Sequence, residues 1–294
     1  MNVISIFGGS GFIGSQLIYE LAKKKVEIRL FTRDKRYANH LRVFPTLKLI
    51  EYHTNSNLSK FLEGTDVLIN CIGILHERPN NTFDKVHGLW LKKLSTLAIK
   101  LKIKRFIHLS ALGASKTAPS KYLKSKFNGE SHIKSICQSI NWTIYRPSVV
   151  FGEEDSFVNL FKKMVIWLPI LFVVSPKSKF QPIAVHDLVS IINASISDKK
   201  TYKKTYNLGG PKSYTFFELL KVITDSLNKK RLFIPLSKKL SYLMVCFLEL
   251  SPIKLITRDN LKSMQLDNVT PVNDAYQFKK RLIKLETYLD KLND

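Results

Sequence analysis

The residues of this 294-residue chain that could do chemistry fall into three groups. Glycines at positions 8, 11 and 14 follow directly on the β-favouring run Val3 to Phe7. Arg33, Lys35 and Arg36 cluster at the end of a second such run, and Tyr122 stands four residues before Lys126. Backbone N–H groups left bare at the start of a helix attract an anion, and a dinucleotide pyrophosphate fits there. A guanidinium offers a further phosphate two parallel hydrogen bonds. A phenol beside an ammonium is favoured as phenolate, below its usual pKa of about 10. Such a tyrosine can exchange a proton with a carbonyl or hydroxyl while hydride moves to or from a nicotinamide.

Each of these chemistries needs an element to place it. Phe12, Ile13, Leu17, Ile18 and Leu21 recur at helical spacing, so Val3 to Leu21 reads as strand, tight turn and helix. Gly8 permits the turn, Gly11 lets a phosphate approach the backbone, and Gly14 lets helix and strand pack closely. Phe12 and Ile13 then form the helical turn facing the anion. Val26 to Thr32 reads as the second strand. Counted from Gly14, Thr32 is 18 residues on and Arg33 is 19, with Asp34 already turning into the loop. A carboxylate at this place holds the ribose 2′-hydroxyl of NAD, and an arginine accommodates the 2′-phosphate of NADP. The bases favour NADP(H) over NAD(H), with Thr32 and Arg33 at its adenosine end.

Leu47 to Tyr52 reads as a third strand, Leu58 to Leu62 as a short helix and Val67 to Cys71 as a fourth strand. Ligands bind at the carboxyl ends of parallel strands, which sets Cys71 and Gly73 beside the cofactor. Cys71 itself reads as a packed core residue. A helical pattern from Phe83 to Lys102 leads to a fifth strand, Arg105 to Leu109, and Trp142 to Arg146 gives a sixth. This alternation predicts an α/β fold, a doubly wound parallel Rossmann sheet over residues 1–150. A smaller C-terminal lobe at 151–294 is interleaved with that core. The Tyr-x-x-x-Lys spacing occurs three times, at Tyr19/Lys23, Tyr122/Lys126 and Tyr276/Lys280. Only Tyr122 opens the helix after the fifth strand.

Together, Gly8-x-x-Gly11-x-x-Gly14, Arg33, Tyr122-x-x-x-Lys126 and the run Arg146 to Gly152 (RPSVVFG) resemble an extended-type short-chain dehydrogenase/reductase. Phe180 to Leu188 (FQPIAVHDL), Tyr206 to Pro211 (YNLGGP) and the stretch Thr257 to Val269 are similar to an atypical subgroup. That subgroup holds the NADPH-binding accessory subunit of respiratory complex I, its bacterial relatives and a ubiquinone-biosynthesis protein. The resemblance covers residues 2 to about 270. It implies a nicotinamide cofactor held by the glycine turn, Thr32, Arg33, Cys71, Gly73, Tyr122, Lys126 and Pro147. It also implies work beside a membrane protein complex or a quinone-type lipid, as an accessory or assembly protein. The other expectation is an active NADPH-dependent reductase or epimerase on a lipophilic or sugar-type carbonyl.

Active members of the wider superfamily carry a Ser or Thr just after the fifth strand. Here Ala111 falls at that position, with Ser110 its neighbour as the third candidate catalytic residue. Strand side chains alternate in direction, so Ser110 points away unless the register differs. Loss of such a donor costs about 100-fold or more in rate. Tyr122 and Lys126 therefore read either as a catalytic pair or as anchors of the nicotinamide ribose in a protein that seldom turns over.

The formal net charge is +24, which suggests an anionic partner. Of the 47 basic residues 37 are lysines, scattered along the chain, which a lysine-rich composition or an anionic membrane surface explains better than nucleic acid. Cys71, Cys137 and Cys246 are odd in number and far apart, so neither a disulfide framework nor a metal site is expected. A reducing cytoplasmic compartment fits, or a peripheral place at the inner face of a membrane, since Met1 and Asn2 lead straight into the first strand. Met164 to Val174 reads as a core or pocket wall, or else as a lid or patch meeting a long apolar ligand or a membrane. Lys238 to Leu250 reads as a packed helix or as an interfacial one. His186 and Asp187 open a helix, where Asp187 suits the dipole. Phe278 to Leu292 has the composition of a solvated helix.

Overall fold

The computed structural model describes residues 2–53, 56–250 and 256–292. In chain order its elements are β1 (Val3–Phe7), α1 (Phe12–Ala22), β2 (Glu27–Thr32), β3 (Leu47–Glu51), α2 (Leu58–Leu62), β4 (Val67–Asn70), α3 (Trp90–Lys100), β5 (Arg105–Leu109), α4 (Lys121–Ile136) and β6 (Asn141–Pro147). There follow β7 (Val150–Phe151), α5 (Val158–Trp167), β8 (Ile170–Val173), β9 (Lys179–Phe180), β10 (Ile183–Ala184), α6 (Val185–Ser195) and β11 (Lys204–Leu208). The last are β12 (Tyr214–Thr215), α7 (Phe216–Ser226), β13 (Leu232–Pro235), α8 (Lys238–Glu249), α9 (Arg258–Ser263) and α10 (Leu285–Asp290).

Seven strands form one sheet in the order β11-β6-β5-β4-β1-β2-β3, and neighbours among β1 to β6 run parallel. The order reverses between β1 and β4, the switch point at which doubly wound sheets bind their ligands. Both faces of such a sheet are covered, so its central strands are buried throughout: no residue of Val67–Asn70 or Arg105–Leu109 reaches the surface. The buried cation at the start of β5 is held by four hydrogen bonds. Arg105 donates to the carbonyls of Asn141, Ser195 and Ile196 and to the Thr201 hydroxyl, closing the C-terminal end of α6.

The chain forms two compact units. One is Met1–Ser110, Ser125–Arg146 and Leu188–Tyr206; the other is Ala111–Lys124, Pro147–Asp187 and Asn207–Asp294. The first encloses a core that includes Phe7, Leu68, Leu94, Phe106 and Ile133. The second has its own, around Phe151, Val165, Leu171, Leu219 and Val245. Within the second unit the segments that carry the family resemblance act as staples. Asn268 accepts hydrogen bonds from the Ser148 hydroxyl and the Val149 N–H, and Gln181 binds the Gly210 carbonyl and the Thr270 N–H.

Some expectations need correction. The helix expected from Phe83 to Lys102 is present, but its first part is a π-helical turn, Asp84–Leu89, that runs straight into α3. The C-terminal stretch is no solvated helix. Asp187, fully buried, accepts from Lys279 (2.6 Å) and from the Ile283 N–H, and Leu285 and Leu289 enter the second core. A lysine-rich stretch read from composition alone hides that its few apolar side chains are the ones buried. Met164 to Val174 divides between core wall and exposed apolar patch. It ends α5 and continues as β8, with Val165, Leu171 and Val173 buried and Ile170 and Phe172 exposed.

Candidate functional site

The turn between β1 and α1 is shaped by its glycines. Gly8 has φ +77°, and a Cβ there would lie 2.8 Å from the backbone of Cys71 and Ile72. The exits of β1 and β4 are thus pressed together. A Cβ on Gly14 would lie 2.2 Å from the Gly8 oxygen, so helix and strand can meet only without one. Gly11 is different. It is exposed, and a Cβ there would make only an ordinary 3.4 Å contact. Packing within the chain does not require glycine at 11; close approach of something outside it does. Gly11 is also the N-cap of α1 and supplies no side-chain cap, which leaves first-turn N–H groups at Phe12 and Ile13 for an anion. This cradle fits a pyrophosphate.

At the end of β2, Thr32 is buried and spends its hydroxyl locally, donating to the Asp34 carbonyl at 2.8 Å. The Asp34 carboxylate is taken twice over. It caps the following 3-10 turn through the Arg36 N–H and receives the Arg36 guanidinium at 2.6 and 3.0 Å. That guanidinium holds its pKa below the usual carboxylate range. Arg33 is exposed and makes no hydrogen bond or ion pair among the described residues. The group that could bind a ribose hydroxyl is occupied, and the group that could bind a phosphate is available.

At the end of β4, Gly73 faces Lys126, whose Nζ would lie 3.0 Å from a Cβ built on that glycine. Lys126 is buried and donates to the Leu109 carbonyl at 3.2 Å. Burial pulls its pKa down to about 8, against the charge of Glu130. Burial pushes the Cys71 thiol up to about 12, in keeping with a packed residue. Sequence reasoning missed His87, which lies in the π-helical turn. Its Nε2 accepts from the Ile74 N–H at 3.1 Å and its Nδ1 lies 2.8 Å from the Ser125 hydroxyl. Burial pulls its pKa down to about 2, so it is a neutral strut joining the β4 exit to α4. No spacing in the sequence marks it.

The tyrosine end of the site differs from expectation. Tyr122 and Lys126 do share a face of α4, one turn apart. Yet burial pushes the Tyr122 phenol up to about 12. The expected phenolate is therefore replaced by a protonated phenol, because desolvation favours the neutral form. Tyr122 packs against Ala111, Ala118 and Leu123, so the residue that sequence reasoning sets at the hydroxyl's place offers the ring only a methyl group. Ser110 does not substitute for it. Its hydroxyl donates to the buried Glu130 carboxylate at 2.5 Å, which also takes the Arg146 guanidinium through both oxygens. Pro147 ends β6 and its carbonyl accepts from the Leu112 N–H. Asp259, also missed, accepts from the N–H groups of Lys121 and Tyr122 and so caps the helix that carries the tyrosine. It sat unnoticed inside the Thr257–Asn260 motif, whose capping box starts α9.

A family model described as NAD(P)H-binding matches residues 8–162, a span that begins at the glycine turn. The chain belongs to the NAD(P)H-binding family. Its cofactor is accordingly a nicotinamide dinucleotide. The chain is 27% identical over 244 residues to the NADH-ubiquinone oxidoreductase 40 kDa subunit of Neurospora crassa, covering 81% of itself and 64% of that protein. It thus spans less than two thirds of that relative's length. With the mouse NADH dehydrogenase (ubiquinone) 1 alpha subcomplex subunit 9 it shares 29% identity, over 92% of itself and 74% of the relative. Among solved structures, the NADPH-dependent quinone oxidoreductase of Escherichia coli, complexed with NADPH, matches with a TM-score of 0.78. That match has 15% identity and covers 99% of this chain and 100% of the other. At that identity the likeness is one of fold. The fold is the one expected, an α/β Rossmann sheet.

Proposed function

We propose that this NAD(P)H-binding chain holds NADP(H) without routine turnover, as an accessory or assembly protein of a respiratory or quinone-linked membrane complex. The observation that carries this reading is the state of the tyrosine end. Tyr122 is a desolvated phenol beside the Ala111 methyl, and the hydroxyl of Ser110, the other candidate donor, is spent on Glu130. The bound dinucleotide would supply hydride chemistry, but the residues around it are arranged to hold. The glycine cradle and α1 take the pyrophosphate, Arg33 the 2′-phosphate, and Lys126 with Tyr122 the nicotinamide ribose. A ligand that binds only the folded state stabilises it by mass action, which gives a held cofactor a structural role. The relatives named for NADH-ubiquinone oxidoreductase support the assignment to such a complex.

Denaturing the purified protein and identifying the nucleotide released tests this. Retained NADPH supports holding; no nucleotide, or NADH alone, refutes the cofactor assignment. Tyr122→Phe tests the other half. The holding role expects unchanged cellular function and unchanged background NADPH oxidation. A loss of both by 100-fold or so would instead favour the reductase or epimerase reading, for which the Tyr122/Lys126 spacing on α4 is the supporting feature.

A further inference from the structure

The second unit carries an apolar surface built against the usual rules for a free-standing face. Helix α8 turns Ser241 and Val245 inward. The positions that point out are Leu240, Leu243, Phe247 and Leu250, a stripe at i, i+3, i+7 and i+10, with Phe247 75% and Leu250 83% exposed. The strand before it carries exposed apolar side chains of its own. β13 pairs in parallel with β8 so that Leu232 sits beside Ile170 and Ile234 beside Phe172. Leu232, Ile170 and Phe172 are all exposed, and Trp167, just before β8, is 80% exposed. Arg231 fixes the end of α5 by donating to the Val165 and Ile166 carbonyls, so Trp167 is held out by the fold. Exposed apolar side chains in this concentration mark an interaction surface.

Charge says what the surface meets. Lys229 and Lys230 stand before β13, and Lys238 and Lys239 begin α8, all four exposed. Cations in the first turn of a helix oppose its dipole, so the two lysines of α8 work against the helix they start. The one acid from 229 to 250 is Glu249, which is neutralised by Arg258 at 2.6 Å. No acid lies between 158 and 178. No described helix is long and apolar enough to cross a membrane. An apolar face with lysines at its margin matches the interfacial layer of an anionic bilayer, where alkyl and aromatic groups enter the acyl boundary and ammonium groups meet phosphates.

We infer that the α8 stripe and the β8/β13 ribbon dock this protein on an anionic lipid surface, the lysines at positions 229, 230, 238 and 239 lying at the headgroups. The inference stands apart from the cofactor reading.

The test is sedimentation of the full chain with vesicles of phosphatidylcholine alone or mixed with phosphatidylglycerol, at about 0.15 M salt. Nucleotide content and thermal melting are recorded on the same samples, so a fault in the cofactor reading or the fold is seen separately. The wild type should pellet with the mixed vesicles and shift its tryptophan emission to the blue; Trp167→Phe should remove that shift. Leu243→Asp with Phe247→Asp should cut partitioning by at least tenfold. Lys238→Gln and Lys239→Gln should each cost about fivefold, an effect that fades as salt rises. Equal binding to neutral vesicles, no binding to either, or aspartate variants that bind like wild type would each overturn the proposal. So would a lipid-free dimer that the aspartates dissolve, which would show a second copy covering this face.

Discussion

Arg33 and Arg36 stand three residues apart, and their replacement should shift nucleotide choice toward NADH by two different routes. Arg33 is exposed and unpaired among the described residues, while Arg36 holds both oxygens of Asp34. A guanidinium–phosphate contact at an exposed site contributes about 1.5–3 kcal/mol, between a full charge-assisted bond and one screened by water. Arg33→Ala should therefore weaken NADPH binding by roughly 10- to 100-fold and leave NADH within about twofold. Arg36→Ala acts through its neighbour. It releases the Asp34 carboxylate, which can then accept from a ribose 2′-hydroxyl and repel a 2′-phosphate. The double variant Arg33→Ala/Arg36→Ala should prefer NADH. Calorimetric titration with both nucleotides at near-neutral pH decides the matter, repeated at higher salt, where the NADPH advantage of the wild type should shrink. If Arg33→Ala lowers both affinities equally, the arginine touches something common to both nucleotides and the reasoning fails.

Further expectations follow from the same geometry. Gly14→Ala brings a methyl to 2.2 Å from the Gly8 oxygen, so it should cost about 3 kcal/mol or more and abolish nucleotide retention, read by denaturant melting and nucleotide content. For Lys126 the folded pKa of about 8 lies below the unfolded value of about 10.4. Between these the unfolded chain binds the extra proton, so nucleotide-free protein should gain up to about 3 kcal/mol as pH rises through that window. Lys126→Met should remove that rise in denaturant midpoint; a wild-type profile that falls there contradicts the assignment. Ser110→Ala should lower stability by about 1–2 kcal/mol and leave NADPH affinity intact, whereas Glu130→Gln, which strands the Arg146 guanidinium, should cost about 3 kcal/mol or more.

Local patterns were enough to write down the nucleotide half. A strand, a glycine turn and an amphipathic helix are specified by neighbours in sequence, and the cradle at Gly8, Gly11 and Gly14 follows from bond geometry and steric room. The strand end at Arg33 was legible for the same reason, though its freedom depends on Asp34 closing on Arg36. The protonation of Tyr122 was not legible. It is set by what surrounds the ring, and desolvation reverses the shift expected from a lysine one turn away. The same holds for Ser110, whose alternation in the strand said only that it points away; the partner it finds, Glu130, lies on a helix 20 residues later. His87, Asp259 and the Asp187–Lys279 tie join residues 13, 137 and 92 positions from their partners, and no periodicity reaches that far. Sequence thus determined which elements form and where an anion can lie. Tertiary structure alone decided which of the polar groups around it remain available, because burial and pairing with distant residues fix the charge and direction of every side chain there.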